Sequence, residues 1–192
     1  MAYDPTEAVT FDLQYGHVHL DGAPTRVMVP SDALVALCRA APPAAAAAFG
    51  DAMGHAMGKR AAGRIAGDGK DRLAAARGAT LETVVTELAA EFALVGIGAL
   101  GIERWGKVLV LIHDQSPLGE DGDGLIAEIL QSAFSTIGGK AARIVRLQRV
   151  GVRARLAVLN AATADEARAR LGRGESWGSV LADLHRNEPL PA

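Results

Sequence analysis

Strand-like segments in this 192-residue chain come in pairs, and that habit excludes most α/β architectures. Val95 to Arg104 and Lys107 to His113 are two β-like runs joined around Trp105-Gly106. Arg143 to Val150 and Val152 to Leu159 form a second pair, turning at Gly151. A short turn joins antiparallel neighbours only, whereas parallel strands need a long crossover. Between the pairs, Leu125, Ile126, Ile129, Leu130 and Phe134 recur at helical spacing from about Leu125 to Ile137, and Gly138-Gly139 ends that helix. A similar stripe (Leu81, Val84, Val85, Leu88, Phe92) follows the helix cap Thr80 and runs to about Leu94. Hairpins separated by helices predict an α+β fold, an antiparallel sheet with helices packed on one face. A doubly wound parallel sheet is disfavoured, because strands do not alternate singly with helices.

The two ends add smaller pieces. Residues 8–29 read as strand-rich: Val9, Phe11 and Leu13 alternate with polar residues, Val18 to Leu20 follows, Asp21-Gly22 makes a turn, and Arg26 to Val29 forms a third short strand. Ser31 is positioned as the N-cap of a helix bearing Leu34, Val35 and Leu37, which Pro42-Pro43 closes. Residues 67–79 read as a polar, glycine-flanked connection with room for one short helical turn. Near the C-terminus, Thr163 and Glu166 make a capping box for a short helix that stops at Gly172. Ser176 opens a last helix through His185, and the tail to Ala192 is expected to fray. The whole predicts one domain over 1–192: a strand-rich segment at 1–30, the α+β core at 31–160, and a helical pair with its tail at 161–192.

The helix from about Ala44 to Ile65 carries Gly50, Gly54 and Gly58 at four-residue spacing. Glycine costs roughly 1 kcal/mol at each helix-interior position, so three on nearly one line call for close backbone contact with another helix. That contact lies either within the subunit or across a symmetric dimer, where one patch must complement itself. Lys59, Arg60 and Arg64 face elsewhere on this helix.

Several chemistries find no support. The formal net charge of −2 argues against general affinity for nucleic acid or anionic membrane. Cys38 is the single cysteine, so no intramolecular disulfide forms and thiolate zinc sites are excluded. Met1 to Thr10 carries acids and no apolar core, and the longest apolar run, Phe92 to Ile102, is about half of a membrane span. A cytoplasmic protein is expected. Of the 20 cationic residues 16 are arginine, a bias typical of GC-rich bacterial coding. His17 and His19 share one strand face, but a metal site needs a third ligand, and His113-Asp114 supplies it only if folding joins the strands. Glu120 to Gly124 lacks the alternating ligands of a calcium loop and reads as a solvated turn before a helix. In GIGALG, residues 96–101, a helix precedes the glycines and a strand includes them, the reverse of a dinucleotide turn. No nucleophile motif accompanies His113. The expectation is a binding protein without catalysis, metal or cofactor.

The second hairpin is electrostatically distinctive. Arg143, Arg146, Arg149, Arg153 and Arg155 fall within thirteen residues, with no acid between Lys140 and Asp165. Without interleaved aromatics, base stacking is not indicated. Arg146, Arg149, Arg153 and Arg155 either pair with acids elsewhere in the chain or meet an acidic partner protein, including the acidic stretch 114–128 of a second subunit. Trp177 lies on an apolar stripe with Val180, Leu181 and Leu184; it docks the last helix on the body or anchors a partner.

Three sequence features carry a family resemblance. They are the glycine-spaced helix ending GHAMGKRAAGRIAG, the run LVGIGALGIERWG with KVLVLIHDQSPLG, and the helix GLIAEILQSAFSTIGGK leading into ARIVRLQRVG. Over roughly residues 42–160 this order resembles the 4-vinyl reductase domain, which shares its fold with the small subunits of TRAPP tethering complexes. Members similar to this pattern bind small hydrophobic molecules as sensors or serve as dimeric scaffolds. Sensor members commonly carry a cysteine-containing metal site near the last hairpin, and this chain has no cysteine after Cys38. The resemblance therefore implies a homodimeric bacterial scaffold or adaptor acting on an unidentified protein partner. The alternative is a sensor domain holding a small apolar ligand between helices and sheet. A buried apolar pocket on the order of 300 Å³ would favour the sensor.

Overall fold

A computed structural model describes residues 5–67, 71–106 and 108–187. The expected fraying of the tail to Ala192 lies outside these residues. In chain order the elements are α1 (Pro5–Ala8), β1 (Val9–Asp12), β2 (His17–Leu20), β3 (Ala23–Arg26), α2 (Ser31–Ala40), α3 (Pro43–Ala66), α4 (Arg72–Arg77), α5 (Leu81–Val95), β4 (Ala99–Trp105), β5 (Val108–Asp114), α6 (Asp123–Gly138), β6 (Arg143–Val150), β7 (Arg153–Leu159), α7 (Ala161–Gly172) and α8 (Trp177–Asn187). The class is α+β, as expected. Both predicted hairpins form, and they join through β5 and β7 into one antiparallel sheet of order β4-β5-β7-β6. The N-terminal strands make a separate three-stranded sheet, β1-β2-β3.

One expectation about layering is corrected: helices cover both faces of the main sheet. Leu111, Ile144 and Leu156 point toward α3, α5 and α6, meeting Met57, Leu88, Phe92, Ile129 and Leu130. Val108, Val110, Val145, Ala157 and Leu159 point the other way, onto Ala164 and Ala167 of α7 and Val180, Leu181 and Leu184 of α8. The unbroken apolar run from Val108 to Ile112 is the pattern of a strand buried on both sides. A one-sided sheet would alternate.

The ends of several elements differ from the sequence expectation for local reasons. Asp21 and Gly22 both adopt positive φ, at 51° and 78°. That is the geometry of a tight hairpin turn, so β3 pairs at once, Leu20 against Ala23, and residues 27–29 are left outside the sheet. Ser31 is the first residue of α2 and makes no cap; Pro30 precedes it. Asn160, at the end of β7, captures the Thr163 amide at 3.0 Å and starts α7 ahead of the Thr163–Glu166 box. Thr80 does cap α5, accepting from the Thr83 amide at 3.2 Å.

Candidate functional site

The glycine line of α3 is used inside the chain, against α6. A Cβ built at Gly50 would lie 2.7 Å from Glu128 Cβ, and one at Gly58 would lie 2.9 Å from the Ala133 carbonyl oxygen. At Gly54 it would fall on the Ile129 carbonyl oxygen and 2.8 Å from Ser132 Cβ. Ser132 adds a bond across the same seam, donating from Oγ to the Asp51 carbonyl at 2.8 Å. All three are buried beneath α6, which is the within-subunit alternative of the sequence reading.

The arginines of the second hairpin find acids within the chain. A bulge between Arg146 and Gln148 turns Arg146 and Arg149 toward the start of α6. There Arg149 Nε donates to Asp123 Oδ2 at 2.9 Å, Arg149 Nη2 pairs with Oδ1, and Arg146 Nη1 reaches Glu120 at 3.1 Å. The expected solvated turn at 120–124 is therefore an anchoring point, with Asp123 buried. Arg153 donates twice to Asp114, at 2.9 and 2.6 Å, which holds that carboxyl below its ordinary pKa. Arg155 lies 3.5 Å from Glu103 and 5.6 Å from the centre of the Trp177 ring system. Trp177 itself packs edge-on to Trp105, with centroids 4.8 Å apart. Arg170 ties α7 to α8 through Asp183 at 2.6 Å. The candidate contact residues Arg146, Arg149, Arg153, Arg155 and Trp177 thus each have a partner within the chain.

His17 and His19 sit side by side on β2, with ring centroids 5.9 Å apart, and His19 Nδ1 lies 3.3 Å from the Gly22 carbonyl. His113 is not brought to them. It is fully buried on β5, on the α5 side, edge-on to Phe92 at 5.6 Å. Its Nε2–H donates to the Ile97 carbonyl at 2.8 Å, so Nδ1 is the bare nitrogen, and Nδ1 has no partner among the described residues. Burial pushes the imidazole pKa down. Among the described residues no three potential metal ligands cluster.

A cavity with a mostly apolar lining lies on a different side of α3 from the glycine seam. The unpaired 27–29 segment and α2 flank α3 and the end of α5, forming a half-open cavity of about 290 Å³. Val29, Leu34, Phe49, Met53, Met57 and Ile97 give it an apolar wall, and among the described residues Arg26 and Arg60 are its only charged lining residues. Its Ile97 wall is the residue whose carbonyl His113 holds. Behind Arg60 lies a buried ion cluster that the sequence reading missed. Glu91 is 0% exposed. Arg60 Nε donates to Glu91 Oε2 at 2.8 Å, with Nη2 on the same oxygen, and Arg64 Nη1 donates to Oε1 at 2.6 Å. Arg64 Nε also reaches Glu87 at 2.6 Å. Burial opposes the charge on Arg64, but these bonds outweigh it and raise its pKa.

A signal for the cluster existed. Glu91 falls on the Val84–Leu88–Val95 face of α5, where an acid has to be buried, and Arg60 and Arg64 stand one turn apart on α3. Both rims of the cavity, by contrast, come from segments with no motif.

No family model and no curated protein matches this chain. Among solved structures, the chain resembles the phenol-responsive sensory domain of the transcription activator PoxR, crystallised with phenol. The TM-score is 0.59 at 13% identity, over 87% of this chain and 92% of that one. At such identity the likeness establishes a shared fold. This finding runs against the scaffold and adaptor expectation, because the solved structure that shares the fold is a sensory domain crystallised with phenol. No helix among the described residues is long and apolar enough to cross a membrane.

Proposed function

We propose that this chain is a sensory module that takes up one small compound with an apolar body, in the cavity between the 27–29 segment, α2, α3 and the end of α5. The observation that carries this is the cavity itself, about 290 Å³ with an aliphatic, thioether and aromatic wall. It sits at the lower edge of the ~300–1,000 Å³ typical of ligand pockets, which fits a single-ring or short-chain compound. The shared fold with a sensory domain solved with phenol supports the same class of ligand, as does the sensor branch of the 4-vinyl reductase resemblance. Val27 and Val29, which line it, are 84% and 57% exposed. Covering such side chains by a ligand is the differential contact through which occupancy shifts a conformational equilibrium.

Ala56 lines the mouth on the exposed face of α3. The Ala56→Trp variant should fold with unchanged circular dichroism and lose binding of single-ring probes by calorimetry. Absence of binding by the wild-type chain across phenol, benzyl alcohol and benzoate would refute the assignment.

A further inference from the structure

The polar chemistry of the cavity says more about its occupant, on the condition that the cavity is the ligand site. Among the described residues, the charged side chains lining it are both guanidinium groups, Arg26 and Arg60, and no carboxylate, amide or hydroxyl side chain lines it. A guanidinium only donates hydrogen bonds. A neutral alcohol or phenol placed there finds no side-chain acceptor among the described lining residues for its own hydroxyl proton. A carboxylate only accepts, and two guanidinium groups present the fork it fits.

Arg60 is held for such a role. Its Nε and Nη2 are fixed on one oxygen of buried Glu91, while the second oxygen of Glu91 is taken by Arg64. The carboxylate behind Arg60 is therefore shared between two cations, and Arg60 Nη1 has no protein partner among the described residues. Arg26 approaches from β3 on the other rim. Burial, and next the like charge of Arg60, lower its pKa, with Glu91 and Asp21 opposing. An anion between the two guanidinium groups relieves that repulsion.

We propose that the occupant is an amphipathic monocarboxylate, with its carboxylate between Arg26 and Arg60 and its ring or short alkyl body among Phe49, Met53 and Met57. The proposal rests on the cavity assignment above.

Calorimetric titration of the full chain near neutral pH with benzoate, hexanoate and benzyl alcohol tests it. Benzoate and benzyl alcohol share a ring and differ in charge; hexanoate keeps the carboxylate without the ring. Benzoate and hexanoate are expected to bind at least tenfold more tightly than benzyl alcohol. Arg26→Gln should weaken benzoate at least tenfold and leave benzyl alcohol within about twofold, and Arg26→Lys should restore part of the benzoate affinity. Arg26 is chosen because Arg60 also neutralises Glu91, and its replacement risks the fold. If benzyl alcohol binds as tightly as benzoate, or if Arg26→Gln weakens both alike, the carboxylate proposal falls and the cavity assignment stands. If none of the three binds, both fall.

Discussion

Replacing Gly54 by alanine sets two calculable effects against each other. Alanine is the better helix former by roughly 1 kcal/mol at an interior position. Its Cβ, however, would clash with the Ile129 carbonyl oxygen and lie 2.8 Å from Ser132 Cβ. Those atoms belong to α6 backbone and to a side chain that is itself hydrogen-bonded to Asp51, so no flexible group can swing aside. Relief requires α3 and α6 to part by roughly 1 Å, which belongs at or above the upper end of the ~1–3 kcal/mol cost of overpacking. The net expectation is a destabilisation of about 2 kcal/mol or more. With a urea m-value of about 1–3 kcal/mol/M, the unfolding midpoint falls by roughly 1 M. Gly63, about two and a half turns further along the same helix, supplies the control. A Cβ there meets only the Arg72 side chain, at 3.7 Å and beyond, so Gly63→Ala should raise stability by about 0.4–1 kcal/mol. Both midpoints are read by circular dichroism at two protein concentrations. A midpoint for Gly54→Ala at or above that of the unmodified chain refutes the close α3–α6 crossing. A midpoint that rises with protein concentration would instead place the glycines in a contact between copies.

Three further outcomes follow from buried polar and aromatic groups. His113 is held neutral, so its folded pKa lies below the ordinary value of about 6.5. As pH drops below about 6.5 the unfolded chain takes up this proton first, so the stability contributed above that value is lost as pH falls toward the folded pKa. The charges influencing it are Asp123, Arg149 and Asp114; His113→Gln should flatten the urea midpoint between about pH 6.5 and 5, and an unchanged slope would assign that dependence to other groups. Glu91→Leu leaves Arg60 and Arg64 without their shared carboxylate and should cost on the order of 3–5 kcal/mol, whereas Glu82→Gln, which breaks an exposed pair with Arg104, should leave the midpoint unmoved; equal effects would contradict the buried cluster. Trp177→Ala removes the edge contact with Trp105 and the Arg155 guanidinium beside it, and should cost about 2 kcal/mol and open the α7–α8 connection to proteolysis. Resistance equal to that of the unmodified chain would show that α8 is held without Trp177.

The parts of this fold legible in the sequence are those where one physical signal dominates. The hairpins carry strong apolar runs about short turns, and α5 and α6 carry uninterrupted stripes. The two-sided burial of β5 was written in the run from Val108 to Ile112, but the pairing rule alone left the second layer of helices unplaced. The arginines of β6 and β7 stand out as unusual, yet their partners lie 23 to 52 positions away in sequence. Charge patterning within a window cannot report pairs of that kind. Gly50, Gly54 and Gly58 announced a close helix crossing and left its partner open, because small residues permit contact with any surface of suitable shape. Only the position of α6 decides between the same chain and another copy.

The cavity was least legible, and the reason bears on what it binds. Its apolar wall is drawn from Val29, Leu34, Phe49, Met53, Met57 and Ile97, residues that periodicity assigns to ordinary packing. What distinguishes them is an absence: residues 27–29 leave the sheet because the Asp21-Gly22 turn closes the hairpin early, so this segment passes over α3 without a strand partner. The charged cluster beneath is distinctive in the opposite way. Two arginines one turn apart on α3 share Glu91, and a buried ion pair of this kind is weak evidence for added stability, since desolvation offsets most of its attraction. Apolar residues at positions 60, 64 and 91 would serve packing as well. Keeping Arg60 fixed at the cavity wall, with one nitrogen left to donate, is a purpose that packing alone does not supply, and a carboxylate-bearing guest is the chemistry that uses it.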